Sequence, residues 1–329
     1  MRIMVFDVPA ESGGALTILN QYYEKAKRDF NNEWIFIIST PDLAENENLK
    51  VLNFRWVKKS WLHRFYFDNF VAYKLVKQYQ IDEILSLQNV IIKNVRIEQI
   101  LYLHQPLPFV KKRYGFIENY KFWIYQNIIS RMIYRSIEKA FSVIVQTKWM
   151  KDACIEKTNV NPDKIIIEPP CFDIIVREKY EKDNSDILLL FYPAAGASYK
   201  NHKIIVEALN RIDTKKRKLF KVIFTLKGNE NANIKELYDI VEKNQLPIDF
   251  IGQISSDEVY NYYAKSTLIF PSYIETFGLP LLEAKLHGSP ILASDCAFSH
   301  EVLEKYDNVK FFDPFDVGSL LNLIEERLN

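Results

Sequence analysis

The sequence predicts an α/β protein made of two units, each with a parallel sheet. Short apolar runs alternate with longer stretches of helical period along the whole chain, which is typical of βαβ units. The length of 329 residues exceeds what one hydrophobic core usually supports. The pattern is interrupted once, near 172–185, where the sequence becomes charged and loses its periodicity. We therefore predict a first unit over 1–171, a linker over 172–185 and a second unit over 186–329.

In the first unit, apolar runs predict the strands and helical spacing predicts the segments between them. The predicted strands are 3–7, 34–38, 51–54, 83–87, 99–103 and 141–147. A last strand within 164–170 is closed by two prolines, which cannot donate hydrogen bonds to a sheet. The predicted helices are 15–28, 61–79, 118–139 and 149–157.

The second unit repeats this alternation. Its predicted strands are 187–192, 221–226, 249–251, 268–271 and 290–294, and its predicted helices are 203–212, 234–243, 257–264, 279–286 and 316–327. In open parallel sheets, ligands bind at the carboxyl ends of the strands. We therefore expect the functional residues in the loops that follow the strands.

Composition and charge exclude several classes of protein. The formal net charge of +1 gives no reason to expect a nucleic-acid partner. Cys154, Cys171 and Cys296 are widely spaced and form no zinc-like pattern, which favours a reduced cytoplasmic location and no metal site. The opening residues predict a buried strand rather than a signal peptide, and no apolar stretch is long enough to cross a membrane.

The most informative stretch runs from residue 270 to 302 and reads FPSYIETFGLPLLEAKLHGSPILASDCAFSHEV. A strand ends at Pro271, and a Gly-Leu-Pro turn opens a helix near Leu279. A helix N-terminus offers amide groups to an anion, and Gly278 permits close approach to the backbone. Glu275 precedes the turn and Glu283 lies one helical turn inside. Each carboxylate can accept hydrogen bonds from paired hydroxyls, although either can instead act as a simple helix cap.

This stretch strongly resembles the glutamate-x7-glutamate motif of family 4 of the retaining glycosyltransferases, which have the GT-B architecture of two Rossmann-like domains facing across a cleft. The resemblance includes the HGSPILASD strand and the FFDPFD segment at 311–316. It implies that Glu275 contacts the transferred sugar and that Glu283 contacts the ribose. It further implies donor contacts from the segment between the two acids, Thr276, Phe277, Gly278 and Leu279.

A second element, FYPAAGASYKNHKIIVEAL at 191–209, carries Lys200 in the loop after a strand. In the resembling family this loop holds an Arg and a Lys that neutralise the donor pyrophosphate. Lys200 matches the Lys, whereas Ala195 or Gly196 stands where the Arg is expected. Because Arg and Lys are not interchangeable for phosphate contacts, we expect part of the phosphate site to be missing or to be supplied elsewhere.

Three further donor-side or reaction-site residues follow from the same resemblance. Gly13 and Gly14 lie between the first strand and its helix, where such a Gly-Gly pair approaches the donor phosphates and the acceptor. His104 ends another strand and would contact the sugar near the reacting carbon, although a lone His is more often a packing residue. Contacts to the base are expected from the loop 252–255, including Ile254.

Two basic, aromatic segments lie in the first unit, WVKKSWLHRFYF at 56–67 and FVKKRYGFIENYKFWIY at 109–125. Basic groups beside aromatic rings suit the surface of an anionic membrane. Helices with a core-facing apolar side and a solvated basic side would explain them equally well. Peripheral membrane contact is therefore one of two interpretations, and ordinary amphipathic helices are the other.

These observations predict a retaining, metal-independent glycosyltransferase of hexosyltransferase type, with His104, Lys200 and Glu275 as catalytic residues. It would use a nucleotide diphosphate sugar, no further cofactor, and a saccharide or lipid-linked saccharide acceptor, in surface polysaccharide biosynthesis. Two alternatives remain open. One is a nucleotide-sugar epimerase of GT-B type, and the other is a nucleotide-sugar-binding protein without turnover, which the absent Arg favours.

Overall fold

The protein, described by a computed structural model over residues 1–11, 13–170, 174–181 and 187–328, divides into two compact units. The first unit is Met1–Cys171 and the second is Phe172–Asn329. The predicted linker at 172–185 lies partly outside the described residues. Its described part belongs to the second unit, since the amides of Tyr180 and Glu181 donate to the carbonyls of His287 and Ala264 at 2.7 and 3.0 Å.

The first unit is built on a parallel sheet in the order β3-β2-β1-β4-β5-β6-β7. Apolar side chains dominate these strands, because both faces of a parallel sheet are covered. The strands are β1 (Arg2–Asp7), β2 (Glu33–Ile38), β3 (Leu49–Asn53), β4 (Glu83–Ser86), β5 (Glu98–Leu103), β6 (Ser142–Val145) and β7 (Ile165–Ile167).

Helices connect these strands. They are α1 (Gly13–Arg28), α2 (Trp61–Tyr66), α3 (Ala72–Gln78), α4 (Tyr120–Ile124), α5 (Ser130–Lys139) and α6 (Lys148–Thr158). The predicted helices at 61–79 and 118–139 are each interrupted, because π-helical turns at Phe67–Val71 and Tyr125–Ile129 join α2 to α3 and α4 to α5. Such wide turns shift the register of the side chains without ending the helix.

The second unit has a six-stranded parallel sheet among the described residues, in the order β10-β9-β8-β11-β12-β13. Its strands are β8 (Leu188–Tyr192), β9 (Phe220–Phe224), β10 (Ile248–Phe250), β11 (Thr267–Phe270), β12 (Ile291–Ser294) and β13 (Val309–Phe312). Phe191, Phe224 and Phe270 are fully buried, so aromatic rings fill much of this core.

The helices of the second unit are α7 (His202–Arg211), α8 (Ala232–Asn244), α9 (Ser256–Tyr263), α10 (Leu279–His287), α11 (Ala297–Val302) and α12 (Val317–Leu328). Two elements of this unit were not predicted. Strand β13 alternates in burial at the edge of the sheet, and α11 is only six residues long, so neither has a strong apolar signature. Among the described residues of both units, no helix is long and apolar enough to cross a membrane.

Candidate functional site: the carboxyl edge of the second sheet

The strand order of the second sheet reverses between β8 and β11, and the loops after these two strands carry the predicted site residues. Strand β8 is extended by β9 on one side, whereas β11 is extended by β12 on the other. At such a switch point the two loops turn away from each other and leave a crevice at the carboxyl ends of the strands. Lys200 follows β8 and Glu275 follows β11, so residues 75 positions apart meet at this edge.

Lys200 and Glu275 form an ion pair at the centre of the site. The distance from Lys200 Nζ to Glu275 Oε1 is 2.5 Å, and the hydroxyl of Ser272 donates to the same oxygen at 2.7 Å. The side chains are only 18% and 17% exposed. Burial by itself would lower the pKa of Lys200, but the charge of Glu275, the neighbouring Tyr199 and the hydrogen bond to Glu275 together outweigh this effect and raise the pKa above its ordinary value. Lys200 is therefore cationic, and its charge is balanced within the protein.

Helix α10 begins beside this ion pair. Gly278 precedes the first helical residue with φ +85° and ψ +58°, a left-handed conformation that glycine adopts readily. Pro280 occupies the first turn, which carries no acidic side chain to offset the positive end of the helix dipole. Thr276, Phe277 and Leu279 are half-buried around this turn. A phosphate group would meet backbone amides here.

Glu283 lies one turn further along α10 and is held by a tyrosine. Tyr263, at the end of α9, donates its hydroxyl to Glu283 Oε2 at 3.0 Å. Burial raises the pKa of Glu283 to about 7, and the bond from Tyr263 offsets only part of that effect. The carboxyl group is thus close to half ionised at neutral pH, and it is well positioned by a fully buried partner.

The loop between β8 and α7 is fixed at several points but has no room for a larger side chain at Gly196. The hydroxyl of Tyr192 donates to the carbonyl of Lys200 at 2.7 Å, which holds the loop against the end of β8. A Cβ atom on Gly196 would lie 2.8 Å from Ile234 Cγ1. Ala195, the other position where an Arg was expected, is exposed. The lack of an Arg therefore has a steric reason at position 196 but not at position 195.

The remaining predicted residues lie elsewhere. Gly13 and Gly14 begin α1 in the first unit, and a Cβ atom on either would meet no atom within 4 Å. His104 directly follows β5, and its amide donates to Asn89 at 2.8 Å. Burial lowers the pKa of His104 to about 4, so the imidazole is neutral at physiological pH. Ile254 is half-buried in the second unit, just before the capping box of Ser255 and Glu258.

The sequence of the second unit matches a known family. Residues 173–329 fit the family described as "Glycosyl transferases group 1". The second unit is therefore similar to a group 1 glycosyl transferase domain. The match includes the loops that carry Lys200 and Glu275 and the helix that carries Glu283.

Two similar proteins extend the comparison beyond the second unit. The chain is 23% identical over 232 residues to the O-antigen chain mannosyltransferase RfbU of Salmonella typhimurium, which corresponds to 65% of the chain and 61% of that relative. It is also 23% identical over 206 residues to the O-antigen chain mannosyltransferase B of Escherichia coli, or 58% of the chain and 52% of that relative. The chain thus spans between half and two thirds of these two relatives.

A solved structure extends the comparison to both units. Anabaena Alr3699/HepE, in complex with UDP and glucose, superposes with a TM-score of 0.68 and 16% sequence identity, covering 100% of this chain and 90% of that one. This likeness confirms the predicted fold class of two parallel-sheet Rossmann-like domains of GT-B type.

Two residues of the candidate site were missed from the sequence. Ser272 bonds Glu275 from three residues before it, and Tyr263 bonds Glu283 from a different helix. The Ser-x-x-Glu spacing of Ser272 and Glu275 was available as a signal, whereas nothing local marks Tyr263. Among the described residues, no cluster of three or more His, Cys, Asp or Glu side chains could hold a metal ion.

Proposed function

We propose that the chain is a glycosyltransferase that moves a sugar from a nucleotide diphosphate donor to a saccharide or lipid-linked saccharide in surface polysaccharide biosynthesis. The observation that carries the proposal is the Lys200–Glu275 pair beside the N-terminus of α10. A cation and a helix N-terminus suit a diphosphate, and the adjacent carboxylate suits sugar hydroxyls. The names of the relatives, two O-antigen chain mannosyltransferases, support a hexose as the transferred sugar.

In this proposal the donor diphosphate binds at the first turn of α10, close to Lys200, and Glu275 turns from Lys200 towards hydroxyls of the transferred sugar. Glu283, held by Tyr263, accepts hydrogen bonds from the ribose. His104, neutral and half-buried, contacts the sugar near the reacting carbon. Gly13 and Gly14 contribute backbone contacts beside the donor and acceptor, and the loop with Ile254 contacts the base.

The reaction proceeds with retention at the anomeric carbon. The bond from this carbon to the diphosphate oxygen breaks, and the electron pair leaves with the phosphate. The acceptor hydroxyl forms the new bond on the same face, and its proton passes to the leaving phosphate oxygen. Developing negative charge is stabilised by Lys200 and by the dipole of α10, which makes this a case of preorganised electrostatics. Because groups of the chain itself stabilise the leaving diphosphate in this proposal, no divalent cation is required.

The test uses the purified chain and UDP-, GDP- and dTDP-sugars. The matching nucleoside diphosphate should raise the melting temperature, because a ligand selective for the folded state stabilises it. Transfer to a saccharide acceptor should give a product with the anomeric configuration of the donor, at a rate that EDTA leaves unchanged. Release of an epimerised nucleotide sugar without acceptor would contradict the proposal, and so would tight binding with neither transfer nor hydrolysis.

We propose a cytoplasmic location with peripheral contact to the inner face of a membrane, through the two basic aromatic segments at 56–67 and 109–125. Several of their apolar side chains are exposed, although Val57 and Phe67 are buried: Trp61 is 71% exposed, Leu62 79% and Ile117 100%. Exposed basic residues accompany them, including Lys59 and Arg113. Burial raises the pKa of Tyr125 in the second segment, and the charge of Arg64 in the first segment offsets part of this rise. The two segments are therefore neighbours. This composition suits anionic headgroups.

Sedimentation with vesicles tests the membrane contact. The chain should sediment with vesicles that contain phosphatidylglycerol and remain in solution with pure phosphatidylcholine. The double variant Trp61→Ser and Ile117→Ser should lose most of this binding. Phe30→Ser is the matched control, since Phe30 is 73% exposed but lies outside both segments. Equal sedimentation of all variants, or no sedimentation of the unmodified chain, would contradict the proposal.

A further inference from the structure

A second lysine lies at the carboxyl edge of the second sheet, in the loop after β9. In the order β10-β9-β8-β11, this loop lies between the loop after β10 and the loop that carries Lys200. The loop after β9 is joined directly to the loop that carries Lys200, because Asn231 Nδ2 donates to the carbonyl of Gly196 at 2.7 Å. Lys227, four residues before Asn231, is therefore on the same edge as Lys200, one strand further from Glu275.

The side chain of Lys227 extends across the neighbouring loop. Its Cγ and Cε atoms lie 3.4 and 3.6 Å from where a Cβ atom on Gly252 would be, and Gly252 follows β10. The amide of Gly252 donates to the carbonyl of Leu226 at 2.8 Å, which fixes the two loops to each other. The stem of Lys227 thus lies against the backbone of Gly252.

The charges of the two lysines differ in how they are balanced. Lys200 is paired with Glu275 at 2.5 Å. Within the described residues, the ammonium group of Lys227 has no ion pair, and the residue is exposed. Glu230, the acid in the same loop, instead accepts hydrogen bonds from the backbone amides of Lys227 and Gly228 at 2.5 and 3.1 Å. Lys227 is therefore a free cation at this edge.

We propose that Lys227 supplies the second positive charge for the donor diphosphate. The inference rests on the proposed function, because it takes a nucleoside diphosphate as the ligand. A diphosphate diester carries two negative charges, whereas the positive charge of Lys200 is already balanced by Glu275. Gly196 has no space for a further cationic side chain, since Ile234 fills it. An ammonium group pairs with phosphate as a compact point charge with three donors, so the phosphates rather than the base are the expected partner.

The experiment compares each nucleoside diphosphate with its nucleoside, by calorimetric titration of the full chain. UDP and uridine, GDP and guanosine, and dTDP and thymidine are the probes, and the pair whose diphosphate binds the unmodified chain most tightly is carried forward. Lys227→Ala should weaken binding of the diphosphate roughly tenfold or more and leave nucleoside binding unchanged. Lys227→Arg should retain most of the affinity. Lys243→Ala, at the far end of α8, removes the same charge from the same unit and should change neither.

Five outcomes decide the proposal. Weaker binding of the diphosphate by Lys227→Ala, with unchanged binding of the nucleoside, supports it. An equal loss for diphosphate and nucleoside assigns Lys227 to the base and overturns it, and so does unchanged binding of both. Loss of diphosphate binding in Lys200→Ala but not in Lys227→Ala overturns this inference while leaving the proposed function intact. If no nucleoside diphosphate binds the unmodified chain, the proposed function fails and this inference fails with it. Melting temperatures without ligand check that each variant is folded, which exposed Lys227 and Lys243 should both allow.

Discussion

The carboxyl edges of the two sheets differ in how their acidic side chains are paired. At the edge of the second sheet, Glu275 is bonded by Lys200 and Ser272, and Glu283 is bonded by Tyr263. At the edge of the first sheet, both carboxyl oxygens of buried Asp7 lack a hydrogen bond within the described residues, and so do both polar side-chain atoms of Gln88, which is 5% exposed. Buried polar atoms without partners cost free energy.

This difference has a functional meaning in the proposed reaction. At the second edge, hydrogen bonds already hold Lys200 and Glu283 in place before a ligand binds, so donor binding has only to redirect Glu275. The first edge instead keeps buried polar atoms without hydrogen-bond partners among the described residues. The same feature makes the first edge costly for the stability of the protein. Substitutions at the two edges should therefore act mainly on activity in one case and mainly on stability in the other.

The largest effect is expected for Glu275→Ala at the second edge. Removing the carboxylate leaves Lys200 without its partner and removes the proposed contact with the transferred sugar. We expect the transfer rate to fall on the order of 100- to 1,000-fold, the range found when a group that stabilises a transition state is removed. Steady-state kinetics measure it. Glu236→Ala on the exposed side of α8 is the control and should transfer normally. Normal transfer by the Glu275 variant would remove the second edge from the reaction.

The next effect concerns glycines that start a helix at each edge. Gly278 has φ +85°, and a Cβ atom there would lie 3.2 Å from Leu281 Cδ1 and 3.4 Å from Phe298 Cδ2. Gly278→Val should lower the free energy of unfolding by about 2 kcal/mol, from strain and crowding. Gly14 has open space around it, so Gly14→Ala should stabilise α1 by about 0.5 kcal/mol. Urea unfolding of both variants measures the contrast, and equal effects would contradict it.

A smaller effect is expected for Asp7→Asn at the first edge. Burial raises the pKa of Asp7 well above its ordinary value, and the backbone of Ala10 and the charges of Arg64 and Lys58 offset only part of this. The folded protein therefore holds a proton that the unfolded chain releases, so stability falls as the pH rises above about 4. At pH 7.5 the Asn variant should be more stable than the unmodified chain by about 1 to 2 kcal/mol, and this gain should shrink towards pH 4.5. Thermal unfolding at the two pH values measures it; a destabilised variant would contradict it.

The smallest effect is expected for Glu283→Gln at the second edge. Its folded pKa of about 7 also lies above the unfolded value, so stability should fall as the pH rises from about 4.5 to about 7 and then stay level. Because Tyr263 already donates to this carboxyl and the side chain is partly exposed, we expect a change of about 1 kcal/mol or less. The Gln variant should lack this dependence. A pH dependence larger than that of Asp7 would break the contrast between the edges.

Much of the fold could be predicted because buried parallel strands consist of apolar runs. Strands β1, β2 and β11 begin and end within one residue of the prediction, as in the segment Thr267–Phe270, where every residue is buried. Strand β13 was missed because its burial alternates and a charged residue, Lys310, lies within it. The two π-helical turns were missed because helical spacing alone does not record one extra residue per turn.

The local structure around the candidate site residues could be predicted, but the contacts between these residues could not. The turn at Gly278 is local, so the sequence around it was sufficient to predict the start of α10. The pairing of Lys200 with Glu275 joins segments 75 residues apart, and only the strand order brings them together. Each was therefore expected to act on the donor by itself. No sequence motif surrounds Lys227. Its place beside the candidate site follows only from the contact of its loop with Gly196.

The packing of Ile234 against Gly196 restricts how this loop can change during evolution. With Ile234 Cγ1 only 2.8 Å from the site of a new Cβ atom, a mutation of the glycine alone would push the start of α8 away from its neighbour. A larger residue at 196 is accommodated only after position 234 has become smaller. The order of the two mutations is thereby fixed, and lineages that keep the isoleucine are held to a glycine in this loop.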